Sequence, residues 1–575
     1  MIYGLDIETN GLDYRDAATF KIWMVGLDDG VRVVISNGHA AWLRQVATVV
    51  GHNAIAFDQP ALEARYGPFP FTFDDSMLLC YLADESAYHY DLSTCAQRYL
   101  GVPPWKDDVT WDWANFDTIS EDEKNRAYQY NARDARYTRR LYTTLQQRLS
   151  DKQWNLYEKL LKPAARALEQ IHRNGVPISR ENLKEATEAT AIRIEQSRDA
   201  LCKAAETIDL GKKKFNPNSH PHIRKLLFEH LGFEPIRKTD GGAPSTDEAT
   251  IHALRLLHAD SILESLLTYR ETTKLQSTYL RPYDKFLEQD GRVHPSYSLI
   301  ATVSGRTSAR NPNIQQLPRD ESIRRIVAAR PGYKLIVADL SQMEMRTMAF
   351  LSREPNLLAV YQQNMFGGDA HAVMADRIAK IRGESTFTKE DRTLAKPINF
   401  GCLYGAEPYT LQATTLKNYG IRLTYEQAEF LRDDVFFEMF SKLPVYYDAI
   451  HTELRNTNKV TSPLGRERTL ANIHAHDTEL RAAALREGIN TPNQGLASDL
   501  ALMATIDCVA AYPTWVVAFI HDAILLEVPR EVAESTANDV KTKMEMSPRV
   551  ALLRDFGIEF DVPISCDVTI CEEWK

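Results

Sequence analysis

The stretch Val337–Arg346, VADLSQMEMR, decides how the rest of the chain is read. Upstream, Leu335, Ile336, Val337 and Ala338 form a short apolar run, the pattern of a strand buried on both faces. The run ends abruptly in a carboxylate, Asp339. An ionised acid at the tip of a buried strand is costly to desolvate without a partner. Two readings account for it. One is a strand-end cap or structural salt bridge, with Arg346 a turn further on as a candidate partner. The other is a metal site, which requires a second acid on a neighbouring strand.

That second acid stands in Phe519–Val528, FIHDAILLEV, where apolar residues flank Asp522 on both sides in a strand pattern. Two such aspartates are what a two-metal phosphoryl-transfer site needs. In such a site one ion would lower the pKa of an attacking hydroxyl, and the other would hold the phosphoryl group and its leaving group. Between the two acids lies DRTLAKPINFGCLYG, Asp391–Gly405. Its Arg392, Lys396, Phe400 and Tyr404 step by four, so on a helix they span roughly 120° of one face. Two cations followed by two aromatics suit a triphosphate beneath a base pair. A basic surface stripe merging into a core stripe would read the same way. Pro397 predicts a local kink or a first-turn position, because a mid-helix proline removes a hydrogen bond and crowds the preceding turn.

The chain opens with IYGLDIETNGLD, a strand followed by a turn at Asn10-Gly11. Strand side chains alternate, so Asp6 and Glu8 share one face and Leu5 and Ile7 the other. GHNAIAFDQPAL, Gly51–Leu62, places Asp58 near a helix start, where capping is an aspartate's ordinary role. AYQYNARDARYTRRLYTTL reads as a helix on which Tyr130 and Asp134, four apart, share a face. Taken singly, each of these fits a structural role.

A chain of 575 residues predicts two to four domains. Its net charge of -10 does not advertise a nucleic-acid binder, but binding needs a local basic surface and not a basic total. Seven cysteines without a CxxC pair argue for a reducing compartment with no structural zinc or disulfide framework. No apolar run approaches the roughly 20 residues needed to cross a bilayer. The expectation is a cytoplasmic protein without membrane association. After Asp151 the pattern turns helical: Leu156, Leu160, Leu161, Ala164, Leu168 and Ile171 share a face that stops at Asn174-Gly175. A second long helix is expected over Arg180–Asp209, then a loop with lysines at Lys212–Lys214, either a solvated tip or a phosphate contact.

DIET, then Asn53 with Asp58, then Tyr130 with Asp134, resembles in order and spacing the three motifs of the DnaQ-like 3'-5' exonucleases. The resemblance implies that Asp6, Glu8, Asp58 and Asp134 hold two Mg2+ or Mn2+ ions and that Tyr130 orients the attacking water. From Asp151 onward the chain resembles the family A DNA polymerases. The three stretches first described match motifs A, C and B. SGRTSARNPNIQQLP (Ser304–Pro318), GGDAHAVMA (Gly367–Ala375), REGINTPNQGLASDL (Arg486–Leu500) and the terminal EEW match as well.

What the combined resemblance implies is an α/β multidomain chain: an RNase H-like mixed-sheet exonuclease domain followed by a right-hand polymerase with helical thumb, antiparallel-sheet palm and helical fingers. The expected divisions are 1–150 (exonuclease), 151–290 (thumb), 291–350 (palm), 351–440 (fingers) and 441–575 (palm again). Carried over residue by residue, Asp339 and Asp522 are metal ligands with the Leu340 carbonyl, for two Mg2+ or Mn2+ ions. Arg392, Lys396 and His371 hold the triphosphate, and Glu344 is the gate against a ribose 2'-hydroxyl. Phe400 packs on the incoming nucleotide and Tyr404 at the template position. Arg306, Gln494 and His521 contact primer-terminal base pairs in the minor groove. Two positions depart from the pattern: Ala523 stands where motif C carries glutamate, and Leu340 where many relatives carry tyrosine. The implied partners are primer-template DNA and dNTPs, with a replisome helicase-primase as a further candidate. The implied state is a monomer, and the layout resembles a bacteriophage replication enzyme acting in the host cytoplasm. A single-subunit RNA polymerase and a DNA-binding scaffold retaining only nuclease activity are the rival readings.

Overall fold

The computed structural model describes residues 2–16, 18–36, 43, 48–87, 89–105, 111–211, 213–239, 241–258 and 260–575. Lys212 lies outside them, while Lys213 and Lys214 are exposed and outside any helix or strand.

The N-terminal region is built on a mixed five-stranded sheet of β1 (Ile2–Thr9), β2 (Ile22–Asp28), β3 (Val33–Ser36), β4 (Thr48–Gly51) and β5 (Asp74–Asp75), in the order β3-β2-β1-β4-β5. β1 pairs antiparallel with β2 and parallel with β4. Helix α1 (Asp58–Tyr66) follows β4, and α2 (Ser76–Ala83) follows β5. The long α3 (Glu121–Arg148) starts in a Ser120–Glu123 capping box and lies across β1 and β2. Two glycines permit that close approach: a Cβ on Gly4 would stand 2.1 Å from the Ala135 carbonyl oxygen, and one on Gly26 2.2 Å from Asn131 Oδ1. Gly4, Asp6 and Glu8 therefore face α3, while Leu5 and Ile7 pack into a core with Leu62, Phe69 and Phe73.

The connecting helix α4 (Lys162–Asn174) buries the apolar face expected of it and stops at Gly175, φ 69°. It also ties the N-terminal region down, through Lys162 to Asp74 at 2.7 Å and Arg166 to Glu63. Beyond it, α5 runs Arg180–Ala204, five residues short of the expected end, and packs against α6 (Ser261–Lys274).

The second sheet is antiparallel and four-stranded: β6 (Tyr333–Leu340), β7 (Val516–Ile520), β8 (Ala523–Pro529) and β9 (Cys566–Cys571), in the order β7-β8-β6-β9. β6 is covered on both sides, as its apolar run predicts. Ile336, Ala338 and Leu340 enter the main core, and Leu335 and Val337 a separate core with Ile326 and Trp574. Helices α7 (Met343–Ser352), α8 (Ala370–Ile381) and α9 (Lys389–Leu403) rise after β6, and α10 (Thr478–Ala511) and α11 (Ala533–Phe556) back the sheet. Pro397 lies inside a continuous α9 and not in its first turn. No helix among the described residues is long and apolar enough to cross a membrane.

One ion pair sits wholly inside. Arg466 Nη2 donates to Asp499 Oδ1 at 2.8 Å, with 1% and 0% of the side chains exposed. Removing one partner of such a pair strands the other charge in the interior. Asp499→Ala is expected to cost about 3–5 kcal/mol of stability, read as a lower urea midpoint at unchanged slope.

Candidate active sites

Asp339 is the last polar residue before the end of β6, and its register partners are Ala523 on β8 and Asp567 on β9. Directly opposed residues of antiparallel strands share a face, so Asp339 and Asp567 stand side by side on one surface. Asp522 is not within a strand, as its apolar flanks suggested. His521 and Asp522 form the two-residue turn between β7 and β8, with Ile520 paired to Ala523 and His521 at φ 59°. A two-residue hairpin needs a positive φ that glycine usually supplies. A histidine there is the type of backbone strain that gathers at functional positions. The turn is docked on β6 by the Leu340 N–H, which donates to the Asp522 carbonyl at 3.2 Å. This brings the two acids together.

Arg346 does not pair with Asp339. Its guanidinium donates to the Ser341 and Pro563 carbonyls and the Ser565 hydroxyl, and lies 4.3 Å from the Tyr361 ring centroid. Among the described residues, neither Asp339 nor Asp522 has an ion-pair partner within 4 Å. Burial, then Asp522, pushes the Asp339 carboxyl up to about 6; Asp567 adds to the shift, and Arg319 and Arg324 oppose it. Burial also raises Asp522. Carboxylates raised by burial, Asp339 further by Asp522, with oxygen donors alone, fit a hard divalent cation. Asp567 escaped the sequence reading. Its Oδ2 accepts from the Ser341 hydroxyl at 2.6 Å, and it stands on the opposite flank of Asp339 from Ala523.

Around this pair stand the other expected residues. Glu344, on the first turn of α7, is ion-paired with Arg306. Burial and Asp522 push Glu344 up to about 7. Arg306, Glu344, Ser498, His521 and Asp522 line one small cavity. Gln494 lies on α10, next to Gly495, which packs against the Ser304 carbonyl. A larger cleft of about 790 Å³ lies elsewhere, beside Ala328–Pro331 at the other end of β6, away from the acids.

On α9, Arg392 Nε donates to Asp369 Oδ2 at 2.8 Å, and Asp369 caps α8 through the His371 and Ala372 N–H groups. Asn399 Nδ2 donates to His371 Nδ1 at 3.0 Å, and the Phe400 ring lies 5.2 Å from the His371 ring. Burial, followed by the charges of Arg392 and Lys396, lowers the His371 pKa to about 4, so the ring is neutral. With Nδ1 accepting, the ring proton resides on Nε2. Tyr404 stands one residue past α9 as its C-cap, so the helical face ends with Phe400.

In the N-terminal region Asp6 and Glu8 lie on the face of β1 that turns towards α3. Asn131 Nδ2 donates to Asp6 Oδ2 at 2.6 Å, and Asp134, one turn further along α3, accepts from Trp105 Nε1 at 2.7 Å. Tyr130 lies on the same helix. Asp58 opens α1 and is tied to β1 by the Ile7 N–H. Burial and the neighbouring Asp75 push Asp58 up to about 7. Asp75 itself is buried, accepts from the Asn53, Ile55 and Met77 N–H groups, and was missed by sequence. Elsewhere Glu288, Asp290 and His294 bring ligand atoms within 4.8 Å. Arg15 already sits 2.6 Å from Glu288, so that group is an ion-pair node.

Comparison with known proteins agrees with this architecture. Residues 180–575 match the model of DNA polymerase family A, and residues 4–150 match a 3'-5' exonuclease model. The chain is 31% identical over 533 residues to a thermostable DNA polymerase I of Thermus thermophilus, covering 90% of this chain and 57% of that one. It is 31% identical over 515 residues to the DNA polymerase of Escherichia phage T5, covering 80% of this chain and 58% of that one. It therefore spans little more than half the length of these curated relatives. Among solved structures, the POL domain of Pol1 from M. smegmatis, in complex with DNA primer-template and dNTP, superposes with a TM-score of 0.83. At 24% identity that likeness covers 100% of this chain and 95% of that one, and it speaks for the fold alone. With residues 180–575 and 4–150 covered by these two models, the chain belongs to DNA polymerase family A and carries a 3'-5' exonuclease domain at its N-terminus.

Proposed function

We propose that the chain adds dNTPs to a primer 3'-hydroxyl under the direction of a DNA template and removes misadded nucleotides at the N-terminal site. The observation that carries this reading is the meeting of Asp339, at the end of β6, with Asp522, in the β7–β8 turn, where neither acid has an ion-pair partner among the described residues. Asp339 and Asp522, with the Leu340 carbonyl, would hold two Mg2+ or Mn2+ ions, and Asp6, Glu8, Asp58 and Asp134 another two. Bound there, the ions supply an activated 3'-oxygen or water and charge stabilisation for the leaving group.

The remaining work falls to side chains. Arg392 and Lys396 bind the triphosphate from one face of α9, with Arg392 pre-oriented by Asp369. His371, neutral and fixed by Asn399, presents Nε2–H as a donor to a phosphate oxygen. Phe400 closes over the nucleotide base, and Tyr404 lies just beyond at the template side. Glu344 occupies the sugar edge, held there by Arg306. Arg306, Gln494 and His521 read the minor-groove shape of the primer end. In the N-terminal site Tyr130 orients the attacking water.

The test is extension of a primer with a mismatched 3' end in Mg2+ and in Mn2+. Trimming followed by dNTP addition is expected. Trimming without addition would favour a nuclease scaffold, which the missing motif C carboxylate at Ala523 brings into view. Preferential use of rNTPs would favour an RNA polymerase. A related expectation concerns the gate: Glu344→Ala should raise rNTP relative to dNTP incorporation by at least about tenfold, measured as the ratio of the two kcat/KM values.

A further inference from the structure

Arg306 sits on a loop, Thr302–Thr307, that has little regular structure of its own to hold it. What holds it comes from far away. The Ser498 hydroxyl on α10 donates to the Gly305 carbonyl at 3.0 Å. Gly305 has φ 83°, and a Cβ there would stand 2.5 Å from Arg466 Nε, so the loop rests directly on the buried Arg466 guanidinium. Thr302 Oγ1 donates to the Arg306 carbonyl at 2.6 Å, closing the loop on itself. The Thr302 carbonyl then accepts from the Tyr81 hydroxyl at 2.8 Å. Tyr81 lies on α2, in the exonuclease-matched region, and is fully buried. Its hydroxyl also receives Arg466 Nη1 at 3.5 Å, and the guanidinium lies 5.8 Å from its ring centroid.

We propose that Tyr81, in the exonuclease domain, is a positioning residue for the polymerase site. Its hydroxyl pins one end of the Arg306 loop while the Arg466–Asp499 pair supports the loop from beneath, and together they set the place of Arg306 against Glu344. This rests on the reading of Arg306 and Glu344 given above. The network has no slack to absorb a lost bond: among the described residues, Arg466 Nε and Asp499 Oδ2 already have no hydrogen-bond partner. Deleting the Tyr81 hydroxyl leaves the half-buried Thr302 carbonyl and a buried Arg466 N–H short of a partner, which the loop relieves by moving. The ring stays in place, packed edge-on against Tyr90 at 5.8 Å. Tyr81 is not among the acids or the tyrosine assigned to nuclease chemistry, so 3'-end degradation is left untouched.

The experiment uses the full chain with Tyr81→Phe, alone and combined with Arg306→Ala. Single-nucleotide extension should show KM for dNTP raised about fivefold with kcat changed less, the size of one hydrogen bond. Degradation of single-stranded 3' ends should match wild type. In the Arg306→Ala background the Tyr81→Phe effect should vanish, because the side chain it acts through is gone. Unchanged extension in Tyr81→Phe, or an effect that adds in full to Arg306→Ala, overturns the proposal. A wild-type chain that extends no primer overturns the function reading and this inference with it, and is seen in the control lane. Should Tyr81→Phe fail to fold, Ser498→Ala loosens the same loop from the α10 side and must give the same KM change and the same non-additivity.

Discussion

Asp339→Asn is expected to lower dNTP addition at least about 10³-fold, a loss of about 4 kcal/mol of transition-state stabilisation, while the protein melts at the same temperature or higher. Asparagine keeps the size and the strand position, so the pairing of β6 with β8 and β9 is undisturbed. What it removes is a negative charge that faces Asp567 across the strand and is raised by Asp522. Like charges directly opposed on neighbouring strands destabilise a sheet. In chelator, therefore, the variant loses a repulsion that Arg319 and Arg324 offset only in part, and a bound cation compensates the wild-type acids further. Primer extension and thermal unfolding in chelator, with and without Mg2+, test both halves. Added Mg2+ should raise the melting temperature of wild type and raise that of Asp339→Asn less. Extension within tenfold of wild type would remove Asp339 from the reaction.

How much of this is legible in the chain differs from residue to residue, for physical reasons. Asp339 is legible because a buried strand interrupted by an acid breaks its own pattern, and the structure puts it at the strand end where the pattern breaks. The mixed and antiparallel sheets follow from motifs that the family comparison bears out. Asp522 is harder. Its neighbours are as apolar as a strand interior, and the turn carries histidine where a turn usually advertises itself with glycine or asparagine. Tyr404 satisfies a four-residue step but falls past the helix end, because Gly405, at φ 68°, terminates α9. Asp567, Asp75 and Trp105 carry no local signal at all. Each acquires meaning only from a partner distant in sequence: Asp339 for the first, the Asn53 and Ile55 N–H groups for the second, Asp134 for the third. Tyr81 is the extreme case, since a tyrosine in an apolar helix reads as core until its hydroxyl is found on Thr302.

The second large effect lies at the other end of the chain. Asp6→Ala combined with Glu8→Ala should lower 3'-end degradation at least about 10³-fold, since both carboxylates are assigned to holding the ions that activate water. Addition of dNTPs should stay within about twofold of wild type. The separation follows from the alternation of β1. Leu5 and Ile7 carry the core contacts on one face, and Asp6 and Glu8 occupy the other, towards α3. Truncating the two acids therefore leaves the core filled. Asn131 loses its bond to the Asp6 carboxylate but keeps the Asp6 backbone carbonyl at 3.2 Å, so α3 remains seated on the strand. Gly4 and Gly26 keep the helix at its close distance in either case. Tyr81 is on a different element, so the brace on the Arg306 loop is not disturbed. Degradation of a labelled single strand gives the first quantity and extension of a matched primer the second. Undiminished degradation would show that β1 does not carry the nuclease ligands. A parallel fall in dNTP addition would show that the two sites share more than the Tyr81 contact.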